Sequence, residues 1–250
     1  MTFIVVFDII VLYGNELMKN LALAFCSLRP VQLSEQVNDA REKEYLISLS
    51  QLKRVLPNSF DMVICENTID NPQQIKNDDL RTFFENSEMC SLGSEGNIGT
   101  KNKGMGELLM LKTALEQTDL DNYENIAYVT GRHFFTCPYV FEKIENLEKQ
   151  ALVSNPDFYF LNGNFIGSHK EGLYNDMFFS MKSSVMLGYA DYAMSNLNSA
   201  ISQHTSSEQL LFNYINQNDI EYEWLDWLGL VRNAWDITGN IVDINNLHIC

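Results

Sequence analysis

Apolar and polar residues fall into blocks whose period changes along the chain. "LALAFCS" (21–27) is a short apolar run bounded by polar residues, the pattern of a strand buried on both faces. "SEQVNDAREKEYLISLSQLKRVL" (34–56) predicts a helix, with Ser34 as its N-cap. "FDMVICEN" (60–67) predicts a second buried strand, and "QIKNDDLRTFFEN" (74–86) is helical or irregular. A Gly/Asn-rich loop then opens a helix from about Met105 to Glu116, whose apolar stripe is Leu108, Leu111 and Leu115. "NIAYVT" (125–130) predicts a third strand. Beyond it, the pattern predicts a helix over 139–152 and a strand over 157–163. A helical region follows over 176–201, broken near Gly188, and then a helix over 206–218. Strand and helix alternate through the first 150 residues, and the remainder is mixed. The expected fold class is therefore α/β: a mainly parallel sheet flanked by helices, with a mixed C-terminal half.

The chain of 250 residues is 46% hydrophobic and 20% charged, a globular composition. Its formal net charge of −16 argues against a nucleic-acid partner, because binding a phosphate backbone needs a basic surface. A nucleotide ligand is not excluded, since a basic pocket can sit on an acidic protein. The five cysteines, at 26, 65, 90, 137 and 250, form no CxxC and are odd in number. Free thiols in a reducing cytoplasm are the expectation. "FIVVFDIIVLY" (3–13) is apolar but too short to span a bilayer, and it lacks the basic flank of a signal peptide. "MKNLALAFCSLRP" resembles a second protein start at Met18. Residues 1–20 are expected to be a peripheral segment and 21–250 a single domain. The alternative, that Phe3–Tyr13 is an ordinary strand or helix, stays open.

In an open α/β sheet, ligands bind at the carboxyl ends of the strands. Three such ends carry Ser27 and Arg29, then Glu66, Asn67 and Thr68, then Arg132 and His133. Singly, each is an ordinary loop residue; together they suit a nucleotide. The loop before the third helix adds Gly96, Gly99, Gly104 and Gly106, which allow close backbone approach. It also carries Lys101, Asn102 and Lys103 at a helix N-terminus, where N–H groups favour anions. The loop is neither a Walker loop nor GxGxxG.

The order of these pieces resembles the nucleotide-binding half of GT-A glycosyltransferases. In that family a first strand ends in a loop that meets the nucleotide, and a second strand ends near the base. A loop of the N-x-G…R/K-N-x-G type then opens a helix, and a following strand ends in D-x-D. "NIGTKNKG" (97–104) and "IAYVTGRH" (126–133) stand in the last two places. The similarity is closest to bacterial and viral enzymes of capsule and lipopolysaccharide sugar assembly, and it covers roughly residues 21–215. It implies a nucleotide-sugar half (21–138) and an acceptor half (139–250). The implied partners are a nucleotide-sugar donor and a glycan or lipid-linked acceptor, in polysaccharide biosynthesis, with no membrane span.

One departure bears on mechanism. Where the family's acidic pair holds a divalent cation, this chain has Thr130-Gly131-Arg132-His133. Asp119-Leu120-Asp121 precedes the strand and belongs to the opposite sheet edge. Arg132, with Lys101, Lys103 or His133, is the candidate for the cation's electrostatic role, since guanidinium binds phosphate in a bidentate manner. A salt bridge to one of the many carboxylates is the competing role. No cofactor is required on this reading; Mn2+ or Mg2+ held by later acids such as Asp157 or Asp176 is the alternative. For proton abstraction from an acceptor hydroxyl, Asp176 is the first candidate and Glu208 the second, with His204 nearby. Asp176 also suits a helix N-cap, and Thr205-x-x-Glu208 a capping box. Tyr222, Trp224, Trp227 and Trp235 form an aromatic group near the C-terminus that suits a core more than a sugar platform. Two other functions fit the same pattern: a sugar-phosphate nucleotidyltransferase, and a non-catalytic nucleotide- or glycan-binding protein.

Overall fold

The computed structural model describes residues 18–92, 102–154, 159–161, 164–166, 174, 177–225 and 228–231. The residues of the apolar N-terminal segment lie outside that set, as do Lys101, Asp157, Asp176, Trp227 and Trp235. The first strand, β1 (Lys19–Cys26), begins two residues before the predicted start. It is buried from Asn20 onward, because both of its faces are covered. Its alternation divides the core. Leu21, Leu23 and Phe25 enter one cluster, and Ala22, Ala24 and Cys26 enter the other.

Helix α1 (Glu35–Val55) begins where Ser34 accepts a hydrogen bond from the Val37 N–H. It is followed by β2 (Phe60–Glu66), α2 (Asp78–Glu85) and β3 (Glu88–Ser91). Helix α3 (Lys103–Gln117) leads into β4 (Tyr123–Thr130) and the short β5 (Phe134–Phe135). Then come α4 (Tyr139–Glu145), β6 (Ala151–Ser154), β7 (Tyr159–Leu161) and β8 (Asn164–Ile166). The described chain closes with β9 (Phe178–Lys182), α5 (Ser183–Gln203), α6 (Ser207–Gln217), β10 (Tyr222–Leu225) and β11 (Leu230–Val231).

The main sheet has seven strands in the order β10-β6-β9-β4-β1-β2-β3. Strands β1 to β4 are parallel, and β9 is inserted antiparallel between β4 and β6. A smaller sheet, β5-β11-β7-β8, extends from the segment after β4. One face of the main sheet is covered by α3, α5 and α6, the other by α1, α2 and α4. The fold is thus an α/β, mainly parallel sheet with a mixed C-terminal half, as the alternation of elements predicts.

Four local expectations are corrected. The helix predicted over 139–152 ends at Glu145, where the Asn146 amide donates to the Glu142 carbonyl, and residues 151–154 become β6. The helical region predicted from 176 starts with a strand: Phe178–Lys182 pairs with β4, and Ser180 Oγ donates to the Ile126 carbonyl. No break occurs at Gly188, because α5 runs through it. A Cβ there would stand 2.5 Å from the Tyr214 hydroxyl, so the glycine admits α6 rather than ending α5. Finally, β3 was not predicted; its four residues carry two polar side chains and little periodicity.

Candidate functional site

The parallel strands bring their carboxyl ends to one edge. Cys26 is in register with Glu66, and Phe25 with Thr130. The sequence-predicted residues around Ser27, Asn67 and Arg132 therefore share this edge. Asp119 and Asp121 flank the turn before β4, at the other end of that strand.

The loops after β1 and β2 are tied to each other. Ser27 Oγ donates to Asn67 Oδ1 (2.7 Å), and the Arg29 N–H to Thr68 Oγ1 (2.8 Å). Glu66 is fully buried and accepts from the N–H groups of Thr68 (2.6 Å) and Leu28 (3.2 Å), and from the Thr68 hydroxyl. Burial pushes its carboxyl up to about 6, against those hydrogen bonds and the Arg41 charge. The Arg29 guanidinium is paired with Glu35, Asp39 and the buried Glu42. Arg29 and Glu66 thus have their side chains engaged inside the protein.

The turn after β4 is packed tightly. The Gly131 N–H donates to the Phe25 carbonyl, and a Cβ on Gly131 would lie 2.8 Å from Cys26 Sγ and 3.0 Å from that carbonyl. Only glycine lets this turn sit against β1. The His133 N–H closes it onto the Thr130 carbonyl, which presents Arg132 and His133 to a neighbouring cleft.

That cleft has a volume of 250 Å³ and is lined by Asn102, Lys103, Gly104, Glu107, Thr130, Arg132, His133, Met177, Ser206, Ser207 and Glu208. Its walls include the first turns of α3 and α6. Asn102 caps α3, its carbonyl oxygen accepting from the Met105 N–H, while its amide donates to the Thr205 carbonyl before α6. Gly104 allows the contact, since a Cβ there would be 2.5 Å from Ser207 Oγ. Two helix N-termini, the positive ends of their helix dipoles, therefore border one cleft that also receives Lys103 and Arg132.

Of the sequence-predicted site residues, the cleft gathers Asn102, Lys103, Arg132, His133 and Glu208. Ser27, Arg29, Glu66, Asn67 and Thr68 are at the same sheet edge but do not line it. Asp176 is outside the described residues; its sequence neighbour Met177 lines the cleft. His204 ends α5 in the left-handed region (φ 55°). The capping box expected from Thr205 and Glu208 is corrected: Ser206 caps α6 by accepting from the Gln209 N–H. Glu208 stands in the first turn and lines the cleft instead.

Glu107 was missed. The Tyr128 hydroxyl donates to it (3.1 Å), and Lys103 lies 3.4 Å away. Tyr128 is itself held between Phe25 and Phe179, with ring centroids at 4.2 and 4.8 Å. The spacing of four between Lys103 and Glu107 was the available signal. The described carboxylates of the cleft are Glu107 and Glu208, beside Lys103 and Arg132. Among the described residues no three of His, Cys, Asp and Glu gather into a cage.

No protein-family model matches the chain, and no curated protein does. Solved structures share its fold. One is 4-diphosphocytidyl-2C-methyl-D-erythritol synthase from Anaerococcus prevotii, 11% identical over 83% of this chain and 88% of that one, with a TM-score of 0.51. Another, from Desulfovibrio desulfuricans, is described as a nucleotide-diphospho-sugar transferase; it is 13% identical over 82% and 79%, with a TM-score of 0.50. Mouse xyloside xylosyltransferase 1 is 9% identical over 83% and 84%, with a TM-score of 0.46. At these identities the likeness to the first two structures shows the fold alone.

Proposed function

We propose that this chain is a glycosyltransferase that moves a sugar from a nucleotide-sugar to a hydroxyl of a glycan or lipid-linked acceptor. The observation that carries this reading is the cleft at the strand ends. Arg132, Lys103 and His133 meet there with two helix N-termini. Such a site suits a diphosphate. The nucleoside is proposed to extend from it toward Ser27 and Asn67 along the same edge, with residues 139–250 facing the acceptor. Capsule or lipopolysaccharide assembly is the proposed setting, and the cytoplasm the proposed compartment. The described cysteines are free thiols, and no described helix is long and apolar enough to cross a membrane.

In the transfer, the acceptor oxygen forms a bond to the anomeric carbon, and the bond from that carbon to the diphosphate oxygen breaks. Negative charge grows on the departing nucleoside diphosphate. Arg132 and Lys103 stabilise it, together with the first-turn N–H groups of α3 and α6. The acceptor's proton goes to a carboxylate. Asp176 is the proposed base, and Glu208 on the α6 wall is the second candidate or a sugar-binding group. No step is routed through a metal.

A nucleotidyltransferase is the second reading, favoured by the likeness in fold to the 4-diphosphocytidyl-2C-methyl-D-erythritol synthase. The products separate the two: nucleoside diphosphate for sugar transfer, pyrophosphate for nucleotidyl transfer. A thermal-shift panel of UDP-, GDP-, CMP- and dTDP-linked ligands, with Mn2+ or with EDTA, tests the donor site. A rise in Tm with one nucleotide class in EDTA is expected. No rise with any of them points instead to a protein that does not bind nucleotides.

A further inference from the structure

Helix α1 turns polar side chains toward the segment after β4. Glu44, Ser48 and Gln51, spaced by four and three, are all buried. Ser48 Oγ donates to the Arg132 carbonyl (3.0 Å), and Gln51 Nε2 to the Phe135 carbonyl (3.0 Å). These two meet the requirement that buried polar atoms be hydrogen-bonded. Glu44 departs from it. Its Oε2 is buried without a hydrogen-bond partner.

The charges acting on Glu44 are Arg132, from the β4 end, and Arg41, on its own helix. Arg41 is anchored, because its Nε donates to the Ser27 carbonyl (3.1 Å). Arg132 lines the cleft. A buried carboxylate with one unpartnered oxygen thus lies one turn along α1 from Ser48, which holds the carbonyl of the arginine that lines the cleft.

We propose that Glu44 is the internal counter-ion of Arg132, and that an anion bound at Arg132 drives a proton onto it. The proposal rests on the reading of the cleft as a phosphate site. Burial already favours the protonated form of Glu44, while the two arginines oppose that. A phosphoryl group beside Arg132 adds like charge, which shifts the balance further toward protonation. By linkage, an ionised Glu44 weakens anion binding, and a neutral one strengthens it. Glu44 therefore tunes how tightly the cleft holds and releases its anion.

Other titratable groups stand close by. Tyr45, Cys26 and Glu66 also feel Arg41, and burial holds the tyrosine and the thiol neutral. Glu66 titrates near 6, so the substitution at Glu44 is what assigns the proton.

The test is calorimetry of inorganic pyrophosphate binding to the wild-type chain and to Glu44→Gln, in two buffers of different ionisation enthalpy across pH 5.5–8. The glutamine variant is expected to bind about fivefold tighter or more at pH 7.5, and to take up fewer protons than the wild type. Titration of the ligand itself is common to both proteins. Unchanged or weaker binding with the same proton uptake overturns the proposal. If the wild type binds no pyrophosphate, the phosphate-site reading fails separately. Carbon-13 NMR of the Glu44 carboxyl then decides: its titration moves to higher pH in Arg132→Gln if the counter-ion pairing is real. An unmoved titration refutes it.

Discussion

Gly104→Ala probes the junction that builds the cleft. The new Cβ would stand 2.5 Å from Ser207 Oγ, 3.0 Å from Ser207 Cβ and 3.3 Å from the Ser207 backbone nitrogen. Carbon contacts are comfortable at about 3.5–4 Å, so α3 and α6 would have to part by roughly 1 Å. Rotation of the hydroxyl alone does not relieve this, because the Cβ and backbone atoms also crowd the site. Overpacking of this kind costs about 1–3 kcal/mol. The better helix propensity of alanine returns up to about 1 kcal/mol. A net loss of about 1–2 kcal/mol is expected, or roughly 2–8 °C in Tm for a chain of this size. The Asn102–Thr205 hydrogen bond across the same junction would lengthen with the separation. Thermal melts and urea titrations measure the loss, and Gly104→Ala with Ser207→Gly should recover most of it as a coupling energy. If Gly104→Ala is as stable as the wild type or more so, the two helix N-termini are not interlocked as described.

Two further substitutions separate scaffold from site. Glu66 has its titration raised to about 6, against an ordinary 4.5. Its contribution to stability is therefore fully present below about pH 4.5 and lost as pH rises through 6. The gap corresponds to about 2 kcal/mol. In Glu66→Gln that loss disappears, so the difference between wild-type and variant unfolding free energies should change by this amount over pH 4–7. A constant difference would show that Glu66 is not buried in its charged form. Arg29→Met removes the cation from Glu42, which is fully buried and then keeps only the Lys76 and Asn77 N–H groups. Urea unfolding should register a loss of about 3 kcal/mol, with nucleotide affinity unchanged in the folded protein. Weakened nucleotide binding at full stability would make Arg29 a ligand contact.

The sheet was legible because its inner strands are apolar runs and its first helix carries its own cap. Strand β1 is a continuous buried run, and Ser34 marks the start of α1 by type and position. Strand β9 was hidden because Phe178–Lys182 runs straight into α5 with no turn between them. Gly188 misled for a similar reason: a helix-weakening residue is retained there for the approach of Tyr214, a contact between distant segments. At the site, glycine and asparagine residues announced the start of α3, and strand ends pointed to Arg132. The partnership of α3 with α6 joins residues a hundred positions apart, and no local pattern carries it. Glu107 lies inside a helix without a motif, and its place in the cleft follows from the Phe25–Tyr128–Phe179 stack. The polar stripe of α1 was equally silent, since Glu44, Ser48 and Gln51 look like solvent positions until β5 covers them.

The central claim is that Arg132 holds the diphosphate of a nucleotide donor without help from a metal. Isothermal calorimetry of the nucleoside diphosphate selected by the thermal-shift panel, in EDTA, tests it with the wild-type chain and Arg132→Ala. The account predicts measurable wild-type binding and a loss of about 10- to 150-fold in the variant, the worth of a charged hydrogen bond of about 1.5–3 kcal/mol. Equal affinity for the two proteins, or binding that requires Mn2+, would contradict it.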